Sequence, residues 1–445
     1  MKNLKVASFF SGIGGFDVGF EKAGFEINLQ CEINKFCQSV LKHHWPSVDF
    51  LDDISTAQAK SIPDADVWCG GFPCQDLSVA RGSLARHGLN GSRSGLFFSL
   101  AALAEKKKPR AILIENVHGL LSANNGKDFA ELLRILGNLK YAVSWRLLNS
   151  RYFGVPQSRP RVYICAWLND PIAAGNVLFE DRAPVVLPNE RSAFLETSWT
   201  SGPGPITPKV AFCLAATSGR HTGTDWSRTY VAYEKAVRRL TPLECERLQG
   251  FVDNWTQLDH PKIDIERADS LRYHALGNAV SIPVIKWIAD RIHKQFSVQV
   301  KPAGKAFGKN DFMVKALELW PGLLDSIYNT GELADIQKAP EKIMWANAGI
   351  LWNGAFISSQ TPPSLNKPVQ SDLLDIIEQQ MPNERYFLSP KAAEGILRRV
   401  DSQGRQLFPL LRQALEKLAG RKPSIYRIPR TSPQLELGVA EPACA

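Results

Sequence analysis

The sequence predicts an α/β protein built on a doubly wound, Rossmann-like sheet, with a small loop-rich insert and a C-terminal extension of mixed or helical character. Three observations predict it. Short apolar runs alternate with stretches of helical spacing through the first third of the chain. A glycine-rich turn closes the first run and opens the first helix. After about residue 168 the periodicity fades into Pro, Gly, Ser and Thr, and it returns only near residue 238.

Taken in order, residues 5–10 read as a strand and 16–23 as a helix. Residues 26–31 and 35–43 repeat that pair. The runs at 67–69, 111–115 and 161–166 are short and apolar enough to be buried parallel strands, and 129–139 has helical spacing. In 240–251, Thr241 caps a helix and Glu244 supplies the reciprocal partner of a capping box. A strand-to-helix unit is expected over 272–292, and helical patterns recur at 390–400 and 407–418. Four segments follow: 1–167 and 238–297 as the two parts of one interrupted domain, 168–237 as an insert, and 298–445 as an extension with no assigned role.

Composition narrows the function. The 445 residues are 44% hydrophobic and 22% charged, which excludes wholesale disorder. Lys and Arg number 53 against 44 Asp and Glu, a net +9 that favours a polyanionic partner. No apolar run approaches the roughly 20 residues that cross a bilayer, and the N-terminus lacks a signal-peptide pattern, so a cytoplasmic protein without membrane partners is expected. The eight cysteines form no CxxC pair, and neither a metal site nor a disulfide framework is indicated.

The glycine turn at 10–16 lets a ligand approach the backbone at a helix N-terminus, and Glu32 ends the next strand where ribose hydroxyls bind in nucleotide folds. A tight turn with no ligand fits those glycines equally well. Cys69 ends an apolar strand and reads as core. Cys74 follows it in a loop fixed by Pro73, at the sheet edge where such folds do chemistry, and is either a reactive thiol or a structural one. Glu115, at the end of another strand, reaches the same edge. Burial there favours its protonated form, whereas a capping role is the plainer alternative. Arg159 and Arg161 either clamp a phosphate or base oxygen or form surface ion pairs. His43, His44 and His118 lack partners at ligand spacing, and Lys106–Lys108 read as a solvated helix end.

In order, FSGIGGF at 10–16, GGFPCQ at 70–75, SRSGLFF at 92–98, ENV at 115–117, QSRPR at 157–161, RRLTPLECERLQGF at 238–251 and GNAVSIPV at 277–284 resemble the motif set of the cytosine-5 DNA methyltransferases. The resemblance covers about residues 4–292 without the insert. It implies a methyl group moved from S-adenosyl-L-methionine, leaving S-adenosyl-L-homocysteine, to C5 of a cytosine flipped out of double-stranded DNA. Cys74 adds at C6, Glu115 engages N3, Arg161 holds the base and Arg159 is a secondary contact. Phe10, Ile13 and Gly15 line the methionine and adenine portions, Glu32 binds the ribose, Asp53 and Ile54 meet the adenine, and Pro73, Leu96, Asn278 and Val280 close the pocket. Ser8 departs from the pattern, since many members carry an acid there, and the neighbouring Asp52 leaves the Asp53 assignment open to a slip of one.

Residues 75–91 read as a loop that closes over DNA or as a plain solvated loop. Target reading falls to the insert, with Arg220, His221, Arg228 and Tyr230 as contacts, and the helix at 390–400 as an added grip on DNA or a packing extension. The family implies a restriction–modification or phage-protection role, with a possible cognate restriction endonuclease and no obligatory protein partner. An RNA methyltransferase of similar fold and a non-catalytic homologue are the competing readings. A nicotinamide dehydrogenase explains only the glycine turn and Glu32.

Overall fold

Residues 3–73, 95–185, 197–199, 204–219, 227–258, 264–298, 309–320, 327–333 and 342–422 are described by a computed structural model. Their strands, in chain order, are β1 (Lys5–Phe9), β2 (Glu26–Cys31), β3 (Asp49–Leu51), β4 (Val67–Gly70), β5 (Ala111–Val117), β6 (Tyr141–Asn149), β7 (Pro160–Leu168), β8 (Thr197–Trp199), β9 (Ile206–Pro208), β10 (Tyr230–Ala232), β11 (Val237–Arg239), β12 (Ile327–Glu332), β13 (Ala348–Trp352) and β14 (Ala355–Ser359). Ten of them form one sheet in the order β12-β14-β13-β6-β7-β5-β4-β1-β2-β3. Strands β1 to β5 are parallel. From β7 outward every pairing is antiparallel.

The parallel strands are short and apolar because helices such as Gly15–Glu21 and Leu96–Lys107 cover them. Lys106 and Lys107 occupy the last turn of the latter helix, where positive charge suits the dipole, as the sequence suggests. Two expectations change here. The run at 161–166 belongs to an antiparallel strand, because β6, a fully buried nine-residue strand that the sequence pattern does not reveal, precedes it and forms a hairpin with it. The unit expected at 272–292 is two helices, Ile265–Asn278 and Ile282–Ser297, and contains no strand.

The chain divides into two compact units. The first comprises Met1–Phe153, Pro160–Val186 and Ala279–Val369 and holds the ten-stranded sheet. Its core is rich in aromatic rings. Phe129, Trp145 and Trp345 meet edge to face at centroid separations of 5.3–5.7 Å, and the Trp345 indole N–H donates to the Gly126 carbonyl at 2.8 Å. Residues 342–359, from the extension, are therefore part of this core.

The second unit comprises Gly154–Arg159, Leu187–Asn278 and Gln370–Ala445. Its sheet runs β11-β10-β9-β8. The helices Pro390–Ser402 and Pro409–Leu418 bury Ile396, Leu397, Val400, Leu411 and Leu415 with Tyr230, Ala232 and Val237 of that sheet. Pro242–Gln249 starts with the expected capping box of Thr241 and Glu244. Glu244 does more than cap: it takes a bidentate pair from the buried Arg238 at 2.8 Å and the Glu378 main-chain N–H at 3.0 Å. The structure thus divides residues 298–445 between both units and groups 238–278 with the second, whereas the sequence pattern suggests that each is a single block.

Candidate active site

Strand β1 pairs with β2 on one side and β4 on the other, so the chain reverses its winding direction between β1 and β4. A crevice at the carboxyl ends of the strands is expected at such a switch point. Two loops leave the sheet there, 10–14 after β1 and 71–73 after β4.

The first loop is held in an unusual conformation. Phe10 has a φ of 55°, rare for a non-glycine residue, and stays half-buried at the edge. Gly14 has a φ of 86° and forms the N-cap of Gly15–Glu21, and a Cβ there would meet the Trp45 ring at 2.5 Å. At Gly12 a Cβ would have nothing within 4 Å, so the loop faces open space on that side. Glu32 secures it: one carboxylate oxygen accepts the Gly12 N–H at 2.8 Å and the other the Asn34 N–H at 2.7 Å. Each oxygen keeps a lone pair for a ligand hydroxyl. Ile33, beside it, is 68% exposed and offers an apolar surface that no sequence motif singles out.

Beneath the loop lies a second feature that the sequence does not signal. Asp17 is fully buried and accepts from the Ser8 hydroxyl at 3.1 Å and the Gln30 amide at 2.9 Å. Burial raises its carboxyl to a pKa of about 6. Position 8 lacks the acid that the family resemblance leads one to expect, and this chain places a carboxyl against Ser8 from the adjoining helix instead.

The second loop is tied to β5. The Asn116 amide donates to the Phe72 carbonyl at 2.8 Å, and a Cβ on Gly71 would lie 3.2 Å from a Glu115 oxygen. Pro73 is exposed, and Cys74 and residues 75–91 lie outside the described residues. Glu115 and Arg161 meet because β5 and β7 are antiparallel with Val117 opposite Arg161, which makes Glu115 a diagonal neighbour. The Arg161 Nε is 3.1 Å from Glu115 Oε1, and another guanidinium nitrogen donates to the Pro160 carbonyl at 2.8 Å. Both side chains are about nine-tenths buried.

The remaining candidates fall into two groups. Ile13, Ile54 and Val280 are buried, as is the Gly15 backbone, and Leu96 is half-buried against the core. Asp53 accepts the Ser55 N–H at 2.8 Å and shapes its turn, whereas Asp52 is exposed and takes the Gln38 amide at 3.0 Å. Arg159 and Asn278 belong to the second unit. There Arg159 is buried and donates to the Leu214 and Gly277 carbonyls at 3.0 and 3.2 Å, which makes it a brace between the loop at Leu214 and the last turn of the helix Ile265–Asn278. Asn278 is exposed, with its amide 3.3 Å from a His274 ring nitrogen.

Of the expected target contacts, Arg220 and His221 lie outside the described residues. Arg228 binds the Ser218 and Thr217 hydroxyls at 2.9 and 2.6 Å. Tyr230 is 2% exposed within the core of the second unit, so the structure overturns its expected role as a side-chain contact to DNA.

A family model described as C-5 cytosine-specific DNA methylase matches residues 4–194 and 213–294. The chain is 33% identical over 312 residues to the Type II methyltransferase M2.BsuMI of Bacillus subtilis (strain 168), covering 65% of this chain and 75% of that one. It is also 33% identical over 310 residues to the Type II methyltransferase M.HaeII of Haemophilus aegyptius, with 65% and 92% covered. Among solved structures, the Entamoeba histolytica methyltransferase EhMeth aligns at 20% identity with a TM-score of 0.46, over 66% of this chain and 99% of that one.

Proposed function

Because the chain belongs to the C-5 cytosine-specific DNA methylase family and is a DNA cytosine-5 methyltransferase, we infer that Cys74, Glu115 and Arg161 carry its chemistry on a flipped cytosine. The observation that supports this most is the buried Glu115–Arg161 pair beside the loop leading to Cys74. Cys74 forms a bond from its sulfur to C6, and the electron pair displaced from the C5–C6 double bond makes C5 nucleophilic. Glu115 engages N3 and stabilises the charge entering the ring. Arg161 orients Glu115 and, with it, the base. With the methyl group bonded to C5 and the donor's sulfur keeping the electron pair of the broken S–CH3 bond, loss of the C5 proton would restore the C5–C6 double bond and expel the Cys74 thiolate. Arg159 acts at a distance, as a brace.

The donor set fits S-adenosyl-L-methionine. Glu32 offers carboxylate acceptors for ribose hydroxyls, Phe10 and Ile33 offer apolar surface for a flat ring, and the open side of Gly12 admits a ligand against the backbone. Asp53 and the Ile54 main chain border the adenine end, and Ile13, Gly15, Leu96 and Val280 shape the walls. Pro73 lies at the exposed margin, and Asn278 is exposed within the second unit. The cofactor, when bound, supplies an electrophilic methyl group and leaves as S-adenosyl-L-homocysteine.

Five of the seven other cysteines are buried thiols and contrast with Cys74. Burial pushes the Cys31 thiol up to about 12 and the Cys37, Cys69, Cys165 and Cys245 thiols upward as well, which keeps them protonated. We assign the enzyme to the cytoplasm and to Type II restriction–modification, with a cognate endonuclease acting on the same site. Among the described residues no helix is long and apolar enough to cross a membrane.

The test is methyl transfer from labelled S-adenosylmethionine to duplex DNA, with Cys74→Ala and a 5-fluorocytosine duplex alongside. Label in duplex DNA, its loss in C74A with cofactor binding retained, and a trapped adduct on the fluorinated duplex are expected. Near-normal turnover by C74A would remove the nucleophile, and label confined to tRNA would overturn the DNA assignment.

A further inference from the structure

The excess positive charge of the chain is unevenly placed. Residues 390–422 contain eight Lys and Arg against three Asp and Glu, a net +5 out of the +9 of the whole sequence. They form the helices Pro390–Ser402 and Pro409–Leu418 and their flanks. One face of each helix is apolar and packs on the β8–β11 unit, with Ala393, Ile396, Leu397 and Val400 at helical spacing on the first.

The ion pairs within the helices explain what remains outside. Arg412 pairs with Asp401 at 2.8 Å and with Glu416 at 2.9 Å, and Arg421 pairs with Glu394. All three acids are thus taken by two arginines. Arg412 near the start of the second helix meets Asp401 near the end of the first, and Arg421 after the second meets Glu394 and, at 3.6 Å, Asp401. Lys391, Arg398, Lys417 and Lys422 are exposed and make no ion pair among the described residues. On the first helix, Lys391 and Arg398 are about two full turns apart, so both stand on the side opposite the apolar stripe.

We propose that this helix pair is a phosphate-binding face of the DNA-recognition unit, with Lys391, Arg398, Lys417 and Lys422 meeting the backbone of a duplex. The inference rests on the reading of the protein as a DNA methyltransferase. The helices share one hydrophobic core with the insert strands, so cations on their outer side are fixed relative to that unit. Such contacts position a duplex and add affinity without reading sequence.

The experiment uses the full-length chain carrying Lys391→Gln, Arg398→Gln, Lys417→Gln and Lys422→Gln together, and a mixed-sequence duplex as probe between about 50 and 200 mM salt. Methyl transfer by the unaltered protein is measured first, so that a failure of the DNA methyltransferase reading shows there and not in the variant. The quadruple variant should flatten the slope of log affinity against log salt by about 3–4, which is about 0.9 for each phosphate it no longer neutralises, and bind at least about tenfold more weakly at low salt. Its melting temperature and S-adenosylmethionine affinity should match those of the unaltered chain. The double variant Lys391→Gln/Lys422→Gln should flatten the slope about half as much, which keeps the test valid if the quadruple variant folds poorly. An unchanged slope in a variant with normal melting overturns the proposal.

Discussion

Asp17 ionises at a cost that the rest of the molecule carries. Its carboxyl keeps its proton up to about pH 6 in the folded chain, against 3.8 for the ordinary group, and burial is the main cause. Between those two values the folded state binds more protons than the unfolded one, so stability falls as pH rises from about 4 to about 6 and levels off above. Replacing Asp17 by Asn removes that slope while leaving Ser8 and Gln30 a polar partner. In denaturant melts at about pH 4.5 and about pH 7.5, the Asp17→Asn variant should gain about 2 kcal/mol on the unaltered protein between the lower and the higher pH. A difference that stays constant with pH would mean that Asp17 does not titrate between folded and unfolded states. Nothing in the residue order announces this carboxyl, because it lies in the first turn of a helix where an acid is ordinary. Glu115 and Arg161 are legible for the opposite reason: each stands at the end of an apolar strand, where a charge has little purpose unless something meets it. Their diagonal pairing requires the β5–β7 register, which no local pattern carries.

At the scale of elements, the parallel half of the sheet is readable because each strand is short, apolar and followed by a helix. Strand β2 spans Glu26–Cys31, the predicted 26–31, and the helix at 35–43 gains one residue to become Lys35–His44. The antiparallel half is harder. Strand β6 contains Ser144 and Arg146, and these polar residues obscure a strand that is nonetheless buried throughout. Arg146 is tolerated because it donates to the Leu178 and Ser364 carbonyls at 2.8 and 2.6 Å and pairs with Glu180. Strand β13 is equally hidden, since its partner β6 lies far earlier in the chain and the pairing leaves no periodic trace. Trp345 gives the docking a direct test. Its ring packs on Phe129, Trp145 and Phe356 and its N–H is satisfied by Gly126. Trp345→Ala should cost about 3–5 kcal/mol and lower the melting temperature by about 5–10 °C, measured by thermal denaturation of the full chain. A shift of less than about a degree would show that residues 342–359 add little to the catalytic core.

For the whole molecule, the two-unit division decides where the chain can be cut. Removing everything after residue 298 takes β12, β13 and β14 from the large sheet, leaves the edge of β6 bare and strips Trp345 from Trp145. The same cut removes the helices that share a core with Tyr230, Ala232 and Val237. Loss of DNA binding by that fragment would therefore say nothing about grip, because both units are damaged at once. A cut after Val369 is cleaner, since it falls at the boundary where the first unit ends and the second resumes. Residues 1–369 keep the ten-stranded sheet and the Glu32 and Glu115–Arg161 sites, but they lose Glu378 from its contact with Glu244 and the helical cover of the small sheet. The expected outcome is a fragment that binds S-adenosylmethionine within a few-fold of the full chain yet no longer retains duplex DNA, whereas residues 1–298 bind neither. Calorimetric titration of the cofactor and a gel-shift with duplex DNA on both fragments measure this directly. Equal cofactor binding by the two fragments would show that the extension strands do not support the site, and full DNA binding by residues 1–369 would show that the second unit recognises DNA without its C-terminal helices.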